Sequence, residues 1–152
     1  MDNFEQTLRN PVWHALNEAH EKFAISLNEV KFYDPKICPF GAFNDPEKTS
    51  KALYEYAKLT NDFFLVSENT DPIFDENFVV LDCKIEGVQM VLKNALEDSK
   101  ITEEIIPLTE KHVDEIYDLI WLVMPGYYKK RSFDMGSYFG VFRDNKLVAV
   151  TG

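Results

Sequence analysis

The stretch PLTEKHVDEIYDLIWLVMPGYYKKRSFDMGSYFGVFRDNKLVAVTG, Pro107 to Gly152, decides the fold. Thr109 can cap a helix through its hydroxyl, and Leu108 before it can staple onto Val113. Val113, Ile116, Tyr117, Ile120 and Met124 then recur at the spacing of one buried helical face. Pro125-Gly126 stops that helix. The loop Tyr127-Tyr128-Lys129-Lys130-Arg131-Ser132 comes next, followed by two β-rich runs, Tyr138 to Arg143 and Lys146 to Val150. Asp144-Asn145 between them tolerates left-handed backbone, which suits a tight hairpin turn.

Working outward, Ile101 to Leu108 reads as a strand entering this stretch, and Glu97 to Lys100 as a polar seam before it. Nearer the N-terminus, Asn10-Pro11 reads as N-cap and first helical position. Trp13, Leu16, His20, Phe23 and Leu27 follow at steps of three and four, predicting roughly four turns of helix that end near Ala24 or Ile25. Val30 to Tyr33 is a short β candidate, and Asp34-Pro35 and Cys38-Pro39 break regularity. A second helix starts at Asp45-Pro46, buries Ala52, Leu53, Tyr56 and Ala57, and ends at Asn61-Asp62. Phe63 to Val66 reads as a strand buried on both faces. Phe78 to Leu81 and Ile85 to Leu92 are further strand candidates, although Met90 to Leu96 fits a helix as well.

The 152 residues suit one domain of ordinary size. At 45% hydrophobic and 14% aromatic the chain can build a core, which argues against disorder. A net charge of −10 repels phosphate backbones, so no nucleic-acid partner is expected. No apolar run approaches the ~20 residues needed to span a bilayer, and residues 1–10 lack a signal-peptide apolar core. Cys38 and Cys83 have no metal-type spacing and read as reduced thiols. The expectation is a cytoplasmic protein with no membrane partner.

Tyr127-Tyr128-Lys129-Lys130-Arg131 is the best local site candidate, because it is the one run of three basic residues in an acidic chain. The tyrosines could give a flat apolar wall, and Arg131 could grip a carboxylate or phosphate with two parallel donors. The competing reading is a solvated loop whose tyrosines pack on the sheet. His14 and His20 lie six apart, not at the i, i+4 spacing of a metal pair, so no metal is expected. His20 reads as a hydrogen-bonded core residue and His112 as an exposed one. Glu103-Glu104 and Asp114-Glu115 read as solvated faces, not as an acid and base held in contrasting environments. Trp13, Phe23, Tyr117 and Trp121 read as core.

A family resemblance enters on an ordered set of segments. Asn10-Pro11-Val12-Trp13-His14-Ala15-Leu16, His20 and Phe23-Ala24 come first, then Tyr33-Asp34-Pro35, Pro39-Phe40 and Val88-Gln89-Met90-Val91. Pro125-Gly126, Arg131-Ser132, Met135-Gly136, Tyr138-Phe139-Gly140 and Leu147 to Gly152 complete it. The set resembles a branch of the GNAT N-acetyltransferases that carries an extra N-terminal half. The resemblance implies an α+β fold with a mixed, mostly antiparallel sheet and flanking helices. It also implies acetyl transfer from acetyl-CoA to a small-molecule or peptide amine by direct attack. On that likeness, residues 1–100 are the N-terminal half and 101–152 the first strands of the acetyltransferase half, an incomplete GNAT-like fold. The loop bearing Tyr127, Tyr128 and Arg131 would border the acceptor site.

The family's next strand and its Gly-rich pyrophosphate loop, which holds phosphate at a helix N-terminus, have no counterpart among these residues. The six glycines are scattered singly. No catalytic or cofactor-binding residue is therefore carried over, and the chain is expected to be inactive alone and not to bind acetyl-CoA tightly. Lys146 to Val150 would leave a bare strand edge, through which a homodimer could form. The alternative is a non-catalytic binding or dimerisation module that kept the scaffold. A third reading has the basic loop binding acyl-CoA.

Overall fold

The computed structural model describes residues 3–92 and 102–152. They fall into two compact units, Met1–Pro35 with Pro39–Met90 and Lys36–Cys38 with Val91–Gly152.

In the first unit, α1 (Asn3–Arg9) leads directly into α2 (Pro11–Asn17). Asn10 caps α2: its side-chain oxygen accepts from the Trp13 N–H at 3.2 Å, and its amide donates to the Phe43 carbonyl at 2.9 Å. Strands β1 (Ala24–Leu27), β2 (Val30–Tyr33), β3 (Phe40–Ala42) and β4 (Phe64–Val66) form one sheet in the order β1-β2-β3-β4. The first two pairings are antiparallel and β3–β4 is parallel. The β1–β2 hairpin turns through Asn28 and Glu29, both at positive φ (47° and 67°). Between β3 and β4, α3 (Thr49–Tyr56) follows a turn in which Asp45 accepts from the Glu47 N–H at 3.0 Å.

The buried face of α3 is Ala52, Leu53 and Tyr56, packed with Val30, Phe32 and Phe43. The Phe32 ring stacks on Tyr56 with centroids 4.1 Å apart and planes 12° from parallel. It also lies over Gly41 on the paired strand, where an added Cβ would stand 2.3 Å from Phe32 Cδ1 and 2.9 Å from the Lys31 carbonyl oxygen. The Tyr56 hydroxyl donates to the Tyr33 carbonyl at 2.9 Å.

In the second unit, β5 (Ile106–Pro107), β6 (Phe139–Arg143) and β7 (Lys146–Thr151) form an antiparallel sheet with β6 in the middle. Helix α4 (Val113–Val123) packs on β7. Leu108, Ile116, Tyr128 and Leu147 make the buried core. The β6–β7 turn is Asp144-Asn145 at φ 49° and 57°, the left-handed pair that a two-residue hairpin needs. The architecture is thus α+β, with a mixed, mostly antiparallel strand arrangement and flanking helices.

Several local expectations are corrected. The helix from Pro11 ends at Asn17, whose side-chain amide donates to the Trp13 carbonyl at 2.7 Å. The spacing that continued to Leu27 comes from a turn and a strand: His20 and Phe23 pack near Tyr33, and Leu27 lies on β1 facing the core. Strand β4 is partly buried because it is the edge of its sheet. Phe78 to Leu81 and Ile85 to Leu92 form no strand; they are irregular, and large apolar residues such as Val80, Val88 and Met90 are exposed. The Glu97 to Lys100 seam lies outside the described residues. The buried stripe of α4 stops at Ile120, leaving Met124 exposed.

Gly41→Ala places a methyl against the Phe32 ring and a backbone oxygen that the β2–β3 ladder holds in place. It should cost the first unit about 1–3 kcal/mol, read as a lower midpoint in urea unfolding followed by aromatic fluorescence.

Candidate functional site

The candidate loop begins where α4 ends. Met124 closes the helix with its N–H on the Ile120 carbonyl, and Gly126 turns the chain at φ 97°. The loop then winds into a 3-10 turn, Lys130–Met135. Ser132 is the buried polar anchor of that turn. Its hydroxyl donates to the Ile37 carbonyl at 2.5 Å and accepts from the Lys129 N–H at 3.0 Å. Trp121, one helical turn before the break, donates its indole N–H to the Tyr128 carbonyl at 2.8 Å. The loop is therefore pinned to its own helix and to residues 36–38 of the same unit.

Two of the three cations of the basic run, Lys130 and Arg131, meet carboxylates. Lys130 reaches back to Asp114 at 2.6 Å, with its ammonium 5.4 Å from the centre of the Tyr117 ring. That carboxylate raises the Lys130 pKa through a hydrogen bond first and Coulomb attraction second. Arg131 pairs with Asp134 at 3.1 Å. Both pairs are exposed, so each adds little stability, but each occupies a cation that would otherwise face solvent.

Of the three residues singled out in the sequence, Tyr127 is partly buried, Tyr128 is buried and Arg131 is exposed. Tyr128 belongs to the core beside Leu108, Ile116 and Leu147, with its ring edge-on to Tyr138 at 6.0 Å. Its hydroxyl has no hydrogen-bond partner among the described residues. The Tyr138 hydroxyl donates instead to the Ser132 carbonyl at 3.2 Å. Burial pushes the phenol pKa of both tyrosines up, most strongly at Tyr128.

Other sequence readings meet mixed outcomes. His20 is partly buried and bonded to the Tyr33 hydroxyl at 2.7 Å. His112, expected to be exposed, is partly buried beside Phe142, and its Nδ1 accepts from the Thr109 N–H at 2.9 Å. Trp121, expected in the core, is at the surface, its ring 5.4 Å from that of Tyr117 and its N–H on the Tyr128 carbonyl. The signal for Ser132 was in the sequence as a small polar residue after a basic run, but nothing local pointed to its partner 95 positions away. Glu103 and Asp114 are exposed as read, and each holds a cation, Arg143 at 2.5 Å and Lys130 at 2.6 Å. Neither Cys38 nor Cys83 is in a disulfide. Among the described residues no group of three or more His, Cys, Asp or Glu is placed to hold a metal ion, and no helix is long and apolar enough to cross a membrane. A shallow groove of about 350 Å³ between α4 and the β6–β7 turn is lined by Glu115, Asp118, Leu119, Leu122, Lys146 and other residues.

No family model matches the sequence, and no curated protein matches it. Among solved structures, the chain is similar to a protein from Novosphingobium aromaticivorans DSM 12444 that is assigned to the acetyltransferases of the GNAT family. The TM-score is 0.64 at 20% identity, over 95% of this chain and 62% of that one. At this identity the likeness shows the fold, which is GNAT-like, and the chain spans less than two-thirds of the neighbour's length.

Tyr128→Phe removes a buried hydroxyl that makes no well-formed hydrogen bond and has the Tyr138 hydroxyl beside it. It should stabilise the second unit by about 1 kcal/mol, seen as a higher urea midpoint at about pH 8. A phenol held protonated by burial contributes stability that is present below its ordinary value near pH 10 and lost as the pH climbs above it. The loss of stability between about pH 9 and pH 11 should accordingly be shallower in Tyr128→Phe than in the parent.

Proposed function

We propose that these 152 residues are the N-terminal portion of a GNAT-type N-acetyltransferase whose complete chain moves an acetyl group from acetyl-CoA to a small-molecule or peptide amine. The supporting observation is the likeness that runs through 95% of this chain yet reaches only 62% of the solved neighbour. In this reading the second unit supplies the first three strands and first helix of the acetyltransferase half. The outer edge of β7 takes the following strand. Cys38 and Cys83 outside any disulfide fit a reducing compartment, so a cytoplasmic location belongs to the proposal.

The described residues do not fit acetyl-CoA. A pyrophosphate needs several free backbone N–H groups converging at a helix N-terminus. At the start of α4 the Thr109 N–H is spent on His112. Lys130 and Arg131 are paired with Asp114 and Asp134. Recognition of the acyl donor is therefore assigned to residues of the complete protein other than these, and no transfer step is derived from the side chains described. Tyr127 and Arg131 border the acceptor site in this proposal, with Tyr128 packed behind them as their support.

The intact mass of the native protein from its source cells tests the reading. A mass well above 17.7 kDa is expected. A native mass of 17.7 kDa would overturn it in favour of a non-catalytic module that kept the scaffold. The 152-residue chain should bind acetyl-CoA more weakly than ~1 mM in calorimetry. It should also self-associate with rising concentration in light scattering, because the outer edge of β7 pairs with no strand among the described residues. Tight binding by this chain would contradict the fit argument.

A further inference from the structure

We propose that residues 80–90 of the first unit are a homodimerisation strand, which pairs antiparallel with the same residues of a second copy about a two-fold axis at Ile85. The chain runs from Val80 to Met90 without a turn, bend or helix, and no residue there has a positive φ. Every residue of the stretch is exposed, and Val80, Leu81, Ile85, Val88 and Met90 are 60–88% exposed. From Val80 to Gln89 no backbone N–H or carbonyl has a hydrogen-bond partner among the described residues. Apolar side chains and peptide groups thus stand open together along one unbent stretch, the condition under which a strand takes up another strand.

The charge pattern of the stretch selects its own copy. Asp82, Lys84 and Glu86 are its charged residues. With the axis at Ile85, Lys84 stands opposite Glu86 of the second copy, and the symmetry makes that pair twice. Val80 then stands opposite Met90 at both ends, on the same face as the charges because side chains alternate along a strand. An axis at Lys84 or Glu86 sets like charges against each other. Opposite charges meet in one other register, with the axis at Cys83 and Asp82 against Lys84. That register draws its outer pairs from residues before Val80, and those are engaged. The Phe78 and Val79 N–H groups both donate to the Asp75 carbonyl, at 3.0 and 3.1 Å, and the Phe78 ring lies 4.7 Å from that of Tyr54. The open stretch is therefore centred where the charge pattern is centred. In the single chain Lys84 rests on Asp71 at 2.6 Å, an exposed pair of little worth, and Glu86 makes no salt bridge among the described residues. The inference uses the first unit alone and does not depend on the chain's catalytic role.

The test is sedimentation equilibrium of the 152-residue chain at low salt under reducing conditions, which keep Cys83 from linking two copies. Four samples are compared: the parent, Lys84→Glu, Glu86→Lys, and an equimolar mixture of the two variants. A two-stranded ribbon is marginal by itself, so the parent should dimerise weakly, at about 0.1 mM. Each variant alone sets like charges opposite each other twice and should dimerise about tenfold more weakly. In the mixture, two carboxylates of the Lys84→Glu chain face two ammonium groups of the Glu86→Lys chain, and the affinity should return to that of the parent. Association through the β7 edge is the same in all four samples, so the loss and the rescue report on residues 80–90. Misfolding cannot produce the rescue, because the mixture contains only the two chains that fail alone. A parent that stays monomeric, variants that associate as the parent does, or a mixture no tighter than its components would each overturn the proposal.

Discussion

The second unit rests on what is missing from the middle strand of its sheet. Gly140 lies on β6 between β5 and β7, and an added Cβ there would stand 2.6 Å from Leu147 Cδ1 and 3.0 Å from both Leu108 Cδ1 and the Ala149 carbonyl oxygen. The two leucines close over the strand in the space a side chain would take. Together with Ile116 and Tyr128 they are the buried core of the unit. Because Ile116 reaches that core from α4 and Tyr128 reaches it from the loop, the same close approach seats the helix and fixes the loop. The first unit uses the same device with an aromatic ring: Phe32 covers Gly41 and stacks on Tyr56. In both sheets a glycine on an internal strand lets a large apolar group lie against the backbone, and the packed helix follows from that contact. Interiors packed this closely do not yield to an added methyl without moving something.

On that platform the loop's charges are spent inward. Lys130 and Arg131 face carboxylates three to sixteen residues away in sequence, and Tyr117 sits under the Lys130 ammonium. The loop is ordered by backbone and hydroxyl contacts, those of Ser132 and Trp121, not by its ion pairs. Exposed pairs are worth too little to order a segment, whereas a buried serine satisfied on both sides is costly to displace. With Lys130 and Arg131 paired, the basic run is better read as a largely paired rim around a buried tyrosine than as a cradle for phosphate.

Much of this was legible from local chemistry. The Thr109 entry, the Pro125-Gly126 stop, the Asp144-Asn145 turn and the α3 face of Ala52, Leu53 and Tyr56 all follow from rules that act within a few residues. The failures share a cause. Trp13, Leu16, His20, Phe23 and Leu27 keep a helical spacing in sequence, but α2 stops at Asn17 because the Asn17 amide takes the Trp13 carbonyl, and the chain then enters the β1–β2 hairpin. Strand β3 went unread because Cys38-Pro39 and Gly41 look like breakers. Its reason for being extended is the pairing with β2 and β4, which are distant in sequence. At the candidate site the composition of the loop was legible, but its pairing was not. The partners of Lys130 and Ser132 are 16 and 95 residues away.

The two sheets also differ in what they leave open. In the first unit the edge strands β1 and β4 are short, four and three residues, and partly buried. Short, covered edges resist further pairing. In the second unit β7 is six residues long, with Val148 exposed and one lysine, Lys146, at its start. It has no proline and no inward-pointing charge. The register irregularity of the hairpin lies between Val141 and Phe142, so the outer edge of β7 itself carries no such protection. Natural sheets seldom leave a long apolar edge unguarded in water. Among the described strands the contrast sets β7 apart as a long apolar edge that carries none of the usual protections.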